Sequence, residues 1–137
     1  MREGRKHILI ADDEESILLS VSLILMKAGY RVTSANRGED ALREIIESLQ
    51  SPDPVDLLVC DLVMPGLSGT GLIEKLIAAG VCIPVVAMTG VIDPAVIASL
   101  RAKGSCTLLP KPFDRNELLA SVAESFAGQL KTCLPQG

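Results

Sequence analysis

The stretch "ILIADDEESI", residues 8 to 17, drives an apolar run straight into four consecutive acids, Asp12, Asp13, Glu14 and Glu15. Like charges crowded at a strand tip raise the cost of ionising one another. The pattern therefore predicts a strand end that collects something positive. Working outward, the chain repeats one unit, a short apolar run followed by a longer stretch of helical period. "HILIA" (7 to 11) precedes 14 to 28, "YRVTSA" (30 to 35) precedes 38 to 49, and "VDLLVC" (55 to 60) precedes 69 to 79. "IPVVAMT" (83 to 89) precedes 94 to 103, and "CTLLP" (106 to 110) precedes 114 to 128. Strands one, three and four are nearly unbroken apolar runs, as strands covered on both faces must be. Gly29 and Gly104 follow helices, Asp93 with Pro94 reads as an N-cap and first turn, and Asp114 with Glu117 forms a capping pair. Five strand-helix units joined by right-handed crossovers predict an open, doubly wound α/β fold with a parallel sheet. Ligands of such sheets sit at the carboxyl ends of the strands, where strand order reverses.

The totals fit one domain over residues 1–137, with its core at about 6–128 and a tail at 129–137. Apolar residues make up 48% and charged residues 22%. The longest apolar run, Ile17 to Met26, is broken by Ser20 and Ser22 and falls far short of a membrane span. The basic N-terminus lacks the apolar segment of a signal peptide, so a cytoplasmic address is the expectation. A net charge of −4 and no basic cluster beyond "REGRK" argue against direct nucleic-acid binding. Cys60, Cys82, Cys106 and Cys133 include no C-x-x-C pair and read as buried thiols in a reducing compartment.

In a parallel sheet all strand ends emerge on one edge, so Asp12, Asp13, Asp61, Thr89 and Lys111 become neighbours. Carboxylate oxygens suit a hard cation such as Mg²⁺, which keeps several waters and readily adds a phosphate oxygen. Asp61, ending the central strand in "LLVCDLVMPG", is the candidate nucleophile toward phosphorus. Lys111 can pair with phosphoryl oxygens, and the Thr89 hydroxyl can donate to one. The backbone carbonyl of Val63 is a further candidate metal ligand. Simpler readings exist: a helix-capping role for Asp12 and Asp13, an Asx-turn for Asp61, a solvated charge for Lys111 and a turn hydroxyl for Thr89. Lys111 stands between Pro110 and Pro112, which restrict its backbone. The set of five together favours the functional reading.

"DD" after strand one, "D-L-V-M-P-G-x-x-G" after strand three, "T-G" after strand four and "K-P-F" after strand five resemble the receiver domain of bacterial two-component response regulators. The resemblance runs from about residue 6 to 128, with the motifs in order and at the family's spacing. It implies a flavodoxin-like (βα)5 fold with strand order 2-1-3-4-5, and Mg²⁺ (or Mn²⁺) held by Asp13 and Asp61. It also implies phosphorylation of Asp61 by a sensor histidine kinase or a histidine phosphotransfer protein. In the family the hydroxyl at the position of Thr89 turns toward the phosphoryl group, and an aromatic residue three before the lysine follows it. That position is Leu108 here, a departure at the switch.

The expected function is a phosphorylation-controlled switch acting on a downstream protein not named by the sequence, with a phosphorylation-dependent dimer as a further expectation. The fourth helix, fifth strand and fifth helix are the expected output face. An aspartyl-phosphate phosphatase is the alternative, but many such enzymes use a second acid two residues after the nucleophile, and that residue is Val63. Val63 and Val91 flank the phosphosite and cannot orient water, so slow self-dephosphorylation is expected. A flavin or nucleotide binder is disfavoured by 2% aromatic content and an acidic first loop. "GLSGTG" (66 to 71) lacks the dinucleotide glycine order and reads as a loop with a helix start. His7 has no partners for a triad or a metal site and is assigned no function. On the first helix, Ile17, Val21, Ile24, Leu25 and Ala28 form the inward stripe, while Leu19, Leu23 and Met26 make a second apolar face. That face is a candidate docking patch for the donor's helical bundle.

Overall fold

Strands rich in Val, Ile and Leu with almost no polar interruption can only lie where both faces are covered, and the computed structural model of the chain places them so. It describes residues 5–90, 94–95, 98 and 106–132, with side chains to 127. Five strands, β1 (His7–Ala11), β2 (Arg31–Ala35), β3 (Leu57–Asp61), β4 (Val85–Thr89) and β5 (Cys106–Pro110), pair in parallel in the order β2-β1-β3-β4-β5. The helices are α1 (Glu15–Lys27), α2 (Gly38–Ser48), α3 (Gly69–Ala78) and α4 (Arg115–Thr132). This is the flavodoxin-like arrangement expected, with β2 and β5 as edges and the order reversing beside β1. Most of the expected fourth helix, with Asp93 and Gly104, lies outside the described residues. Pro94, Ala95 and Ala98 are helical and exposed.

Alternate side chains of the central strands feed two cores. Leu9, Ala11, Leu58, Cys60, Val85 and Ala87 face α2 and α3, where Ala41, Ile45, Leu72 and Leu76 meet them. Ile8, Ile10, Leu57, Val59, Val86 and Met88 face α1 and α4, meeting Val21, Leu25, Leu118 and Val122. Every residue of β1, β3 and β4 is buried, whereas β2 and β5 are partly exposed, as edges are. On α1, Val21 and Leu25 are buried and Ile17 and Ile24 pack partly against the core, while Leu19, Leu23 and Met26 are exposed. Ala28, expected on the inward stripe, is exposed because it is the C-cap rather than part of the helix face.

Boundaries move for identifiable reasons. β4 starts at Val85 rather than residue 83 because Pro84 has no N–H for a ladder, though its carbonyl accepts the Leu58 N–H at 3.0 Å. The last helix begins with a reciprocal capping box: Glu117 N–H donates to Asp114 Oδ1 at 2.8 Å and Asp114 N–H to Glu117 Oε1 at 2.9 Å. Ser68 caps α3, its hydroxyl accepting the Gly71 N–H at 3.1 Å, so "GLSGTG" is a loop and helix start.

The cysteine reading holds only in part. Cys60 is buried, and burial pushes its thiol well above the ordinary range, so it remains a neutral core group. Cys106 is half-buried and is not part of a disulfide. Cys82 is exposed and disulfide-bonded, contrary to expectation, since it precedes β4 outside the apolar run. Cys133 lies outside the described residues.

His7 has a structural task at the amino end of the sheet. Its Nδ1 lies 3.0 Å from the Asp53 carbonyl and its Nε2 2.7 Å from Thr33 Oγ1, while Arg31 pairs with Asp53 at 2.6 Å. Together they bind the loop after α2 to β1 and β2.

Leu58 is fully buried in β3, so Leu58→Ala is expected to lower stability by about 2 to 5 kcal/mol. Leu19→Ser, on the exposed face of α1, is expected to change it by no more than about 0.5 kcal/mol. Urea denaturation of the two variants checks both values.

Candidate functional site

The reversal of strand order between β1 and β3 leaves a crevice at their carboxyl ends, and the acids that terminate them line it. Asp12 follows β1 and is 0% exposed; Asp61 ends β3 and is 6% exposed. Asp13 points to solvent beside them, and one carboxylate oxygen from each of the three lies within 4.8 Å of the others. Lys111, just after β5, reaches into the same crevice, its Nζ donating to Asp61 Oδ2 at 2.9 Å and to Asp12 Oδ2 at 3.2 Å. Glu14 Oε1 stands 3.7 Å from the same ammonium, a neighbour that the sequence reading left unassigned.

The remaining oxygens are aimed by short local turns. Asp12 Oδ1 accepts the Glu14 N–H and Asp61 Oδ1 accepts the Val63 N–H, each at 2.9 Å. Asp61 thus forms the Asx-turn of the simpler reading and still presents its other oxygen to the crevice. The capping alternative for Asp12 and Asp13 finds less support: Glu14 is the N-cap of α1 and makes no side-chain capping bond.

Thr89 is buried at the end of β4, and its carbonyl accepts the Lys111 N–H at 2.7 Å, which sets where the lysine leaves β5. Leu108 lies in β5 beside Ala87 and packs, half-buried, against the α2–α3 side of the core. Val63 is 66% exposed in the loop after β3. Val91 lies outside the described residues. Leu19, Leu23 and Met26 are exposed along α1 and are not members of the acid cluster.

Burial pushes the Asp12 carboxyl above the ordinary carboxylate range, against the pull of the Glu14 N–H and of Lys111, and the charge of Asp61 adds to the rise. Burial also opposes the charge on Lys111, but its hydrogen bond to Asp61 and the charges of both acids outweigh that and hold its pKa above the usual lysine value. Three carboxyl groups of the cluster, with Glu14 a fourth beside them, face one ammonium, so acids outnumber the base. An all-oxygen set with surplus negative charge and one exposed member suits a hard, partly hydrated cation.

Lys111→Met leaves two buried carboxylates facing each other without their cation. The variant is expected to lose about 1 to 3 kcal/mol at about pH 7. Asp12, already raised by burial, then loses the lowering pull of Lys111, so the penalty grows as pH rises and shrinks toward about pH 4 as it protonates. Paired urea titrations of wild type and variant at the two pH values check the sign.

A family model described as the response regulator receiver domain matches residues 8–123. The chain is 33% identical over 121 residues to the autoinducer sensor kinase/phosphatase CqsS of Vibrio cholerae, covering 86% of this chain and 17% of that protein. It is 32% identical over 120 residues to the DNA-binding transcriptional regulator NtrC of Escherichia coli, covering 88% and 24%. The chain thus spans a quarter or less of these relatives. Among solved structures, a CheY-like response regulator receiver domain from Methanospirillum hungatei superposes with a TM-score of 0.80 at 29% identity, covering 93% of this chain and 98% of that one. The receiver domain of a LuxO-type repressor from Vibrio parahaemolyticus shares the fold with a TM-score of 0.82 at 22% identity. By the match of its sequence and of its fold, this chain belongs to the response regulator receiver family of two-component signalling.

Proposed function

We propose that residues 1–137 form one receiver module whose Asp61 accepts a phosphoryl group from a histidine of a sensor kinase or phosphotransfer protein. The observation that carries this reading is the convergence of Asp12, Asp13, Asp61 and Lys111 from three strand ends onto one crevice. Asp12, Asp13 and Asp61, with the Val63 carbonyl, are the residues to hold Mg²⁺ or Mn²⁺. Bound there, the cation supplies charge neutralisation for an anionic phosphoryl group nearing an anionic nucleophile.

A carboxylate oxygen of Asp61 forms the new bond to phosphorus as the bond from phosphorus to the donor's histidine nitrogen breaks. Lys111, held at 2.9 Å from Asp61, is placed to pair with a phosphoryl oxygen once the transfer is made. Thr89 supplies a hydroxyl at the end of β4 for another. The doubly charged product then changes the local packing, and the module signals through altered protein contacts. With Leu108 where the family carries an aromatic, movement of Thr89 proceeds without an aromatic flip. The output is a downstream protein or a phosphorylation-dependent dimer rather than nucleic acid, in keeping with the net charge of −4.

The module catalyses only its own phosphorylation and slow dephosphorylation. Val63 offers no acid or base for turnover, which weighs against the phosphatase alternative and favours a lasting signal. Among the described residues no helix is long and apolar enough to cross a membrane.

Donor docking is assigned to α1. Leu19, Leu23 and Met26 are exposed along it, and an apolar groove of about 510 Å³, lined in part by Ile17, Ile24, Lys111 and Phe113, opens beside the acid cluster. Both suit the apolar side of a helical bundle.

Intact-mass spectrometry after incubation with acetyl phosphate tests the chemistry. A single phosphoryl adduct is expected that requires divalent cation, is lost in Asp61→Asn and decays slowly; an adduct that survives in Asp61→Asn refutes the assignment. Leu19→Ser with Leu23→Ser is expected to slow transfer from the cognate phosphorylated donor about tenfold or more and to leave acetyl-phosphate labelling unchanged. Equal loss in both assays would remove the docking assignment.

A further inference from the structure

The loop between β3 and α3 carries the Val63 carbonyl, and α2 holds that loop from outside. Glu39, the second residue of α2, extends its Oε2 to accept the Leu67 N–H at 3.1 Å, a bond between residues 28 apart in sequence. Two glycines bring the backbones close enough for it. A Cβ on Gly38 would meet the Leu67 carbonyl oxygen at 2.2 Å, so the start of α2 is pressed against the loop. Gly66 adopts φ +75°, a region that favours glycine, and a Cβ there would meet Glu39 Oε2 at 2.7 Å. At its other end the loop is fastened to the phosphoacceptor. Gly69 donates to the Leu62 carbonyl at 3.2 Å, and a Cβ on it would meet the Asp61 carbonyl oxygen at 2.2 Å. Val63 lies between these fastenings and is itself mostly exposed.

We propose that Glu39 is a positioning residue for the cation site: by holding Leu67 it keeps the loop in the shape that presents the Val63 carbonyl beside Asp61. The inference rests on the receiver reading above and adds to it a residue from outside the acid cluster. Mg²⁺ tolerates little departure from octahedral geometry, so a loop free to shift its carbonyl binds the ion less well. Of the fastenings described, the Glu39 bond is the one that a side-chain change removes without altering the loop itself.

The test is calorimetric titration of Mg²⁺ into wild type, Glu39→Ala, Glu39→Gln and Asp40→Ala, with melting curves recorded in chelator. Glu39→Gln removes the charge and keeps an oxygen acceptor. Asp40→Ala removes a charge from the same helical turn, where Asp40 pairs with Arg43 at 3.0 Å. Glu39→Ala is expected to weaken Mg²⁺ binding about fivefold, the scale of one lost hydrogen bond. Glu39→Gln and Asp40→Ala are expected to stay within about twofold of wild type, as the loss of a distant, screened charge allows. Glu39→Ala matching Asp40→Ala, or Glu39→Gln as weak as Glu39→Ala, overturns the positioning role. So does a lower melting temperature of Glu39→Ala with unchanged Mg²⁺ affinity. Wild-type protein that takes up no Mg²⁺ overturns the receiver reading itself, and this proposal with it.

Discussion

One ammonium group holds the functional edge of this molecule together. Lys111 bonds at once to Asp12 and Asp61, residues 99 and 50 positions away in sequence, and through them ties the ends of β5, β1 and β3 to one point. Neither acid tolerates that degree of burial well beside the other without a nearby cation. With Lys111 in place the cluster still carries more negative than positive charge. That imbalance is compatible with assembly of the fold and leaves an all-oxygen, net acidic crevice of the kind that suits a hard cation.

The same economy of position governs the rest of the chain. Central strands buried on both faces can display polar side chains only at their ends, so chemistry is confined to the two edges of the sheet. At the carboxyl edge lie the acids, Lys111 and Thr89. At the amino edge His7, Thr33, Arg31 and Asp53 make a hydrogen-bonded network that fastens the α2–β3 loop. The two clusters differ in balance. At the amino edge a carboxylate finds its guanidinium, whereas at the carboxyl edge acids outnumber the base.

Much of this was legible beforehand because the signals were local or cumulative. Unbroken apolar runs specify central strands, the Asp114 and Glu117 spacing specifies a capping box, and acids at two strand ends have one meeting place once the sheet is parallel. Where the reading failed, a tertiary fact intervened. The apolar neighbours of Cys82 suggest a buried thiol, but it sits before the strand begins and is exposed. Ala28 fitted the helical stripe by spacing and fell outside it because α1 had already ended. His7 had no sequence neighbour to pair with, and its partners come from a strand and a loop 26 and 46 residues away.

By itself the sequence determined the class of fold, the order of its units and the residue types at each strand end, since these depend on burial pattern and turn chemistry read within a few residues. Only the tertiary structure decided which oxygen of each acid faces Lys111, that Glu14 stands near the same ammonium, and that Glu39 reaches the loop beyond Asp61. The physical reason is that such bonds join groups far apart along the chain at distances of about 3 Å. No periodicity in the sequence encodes them, and packing alone sets which candidates meet.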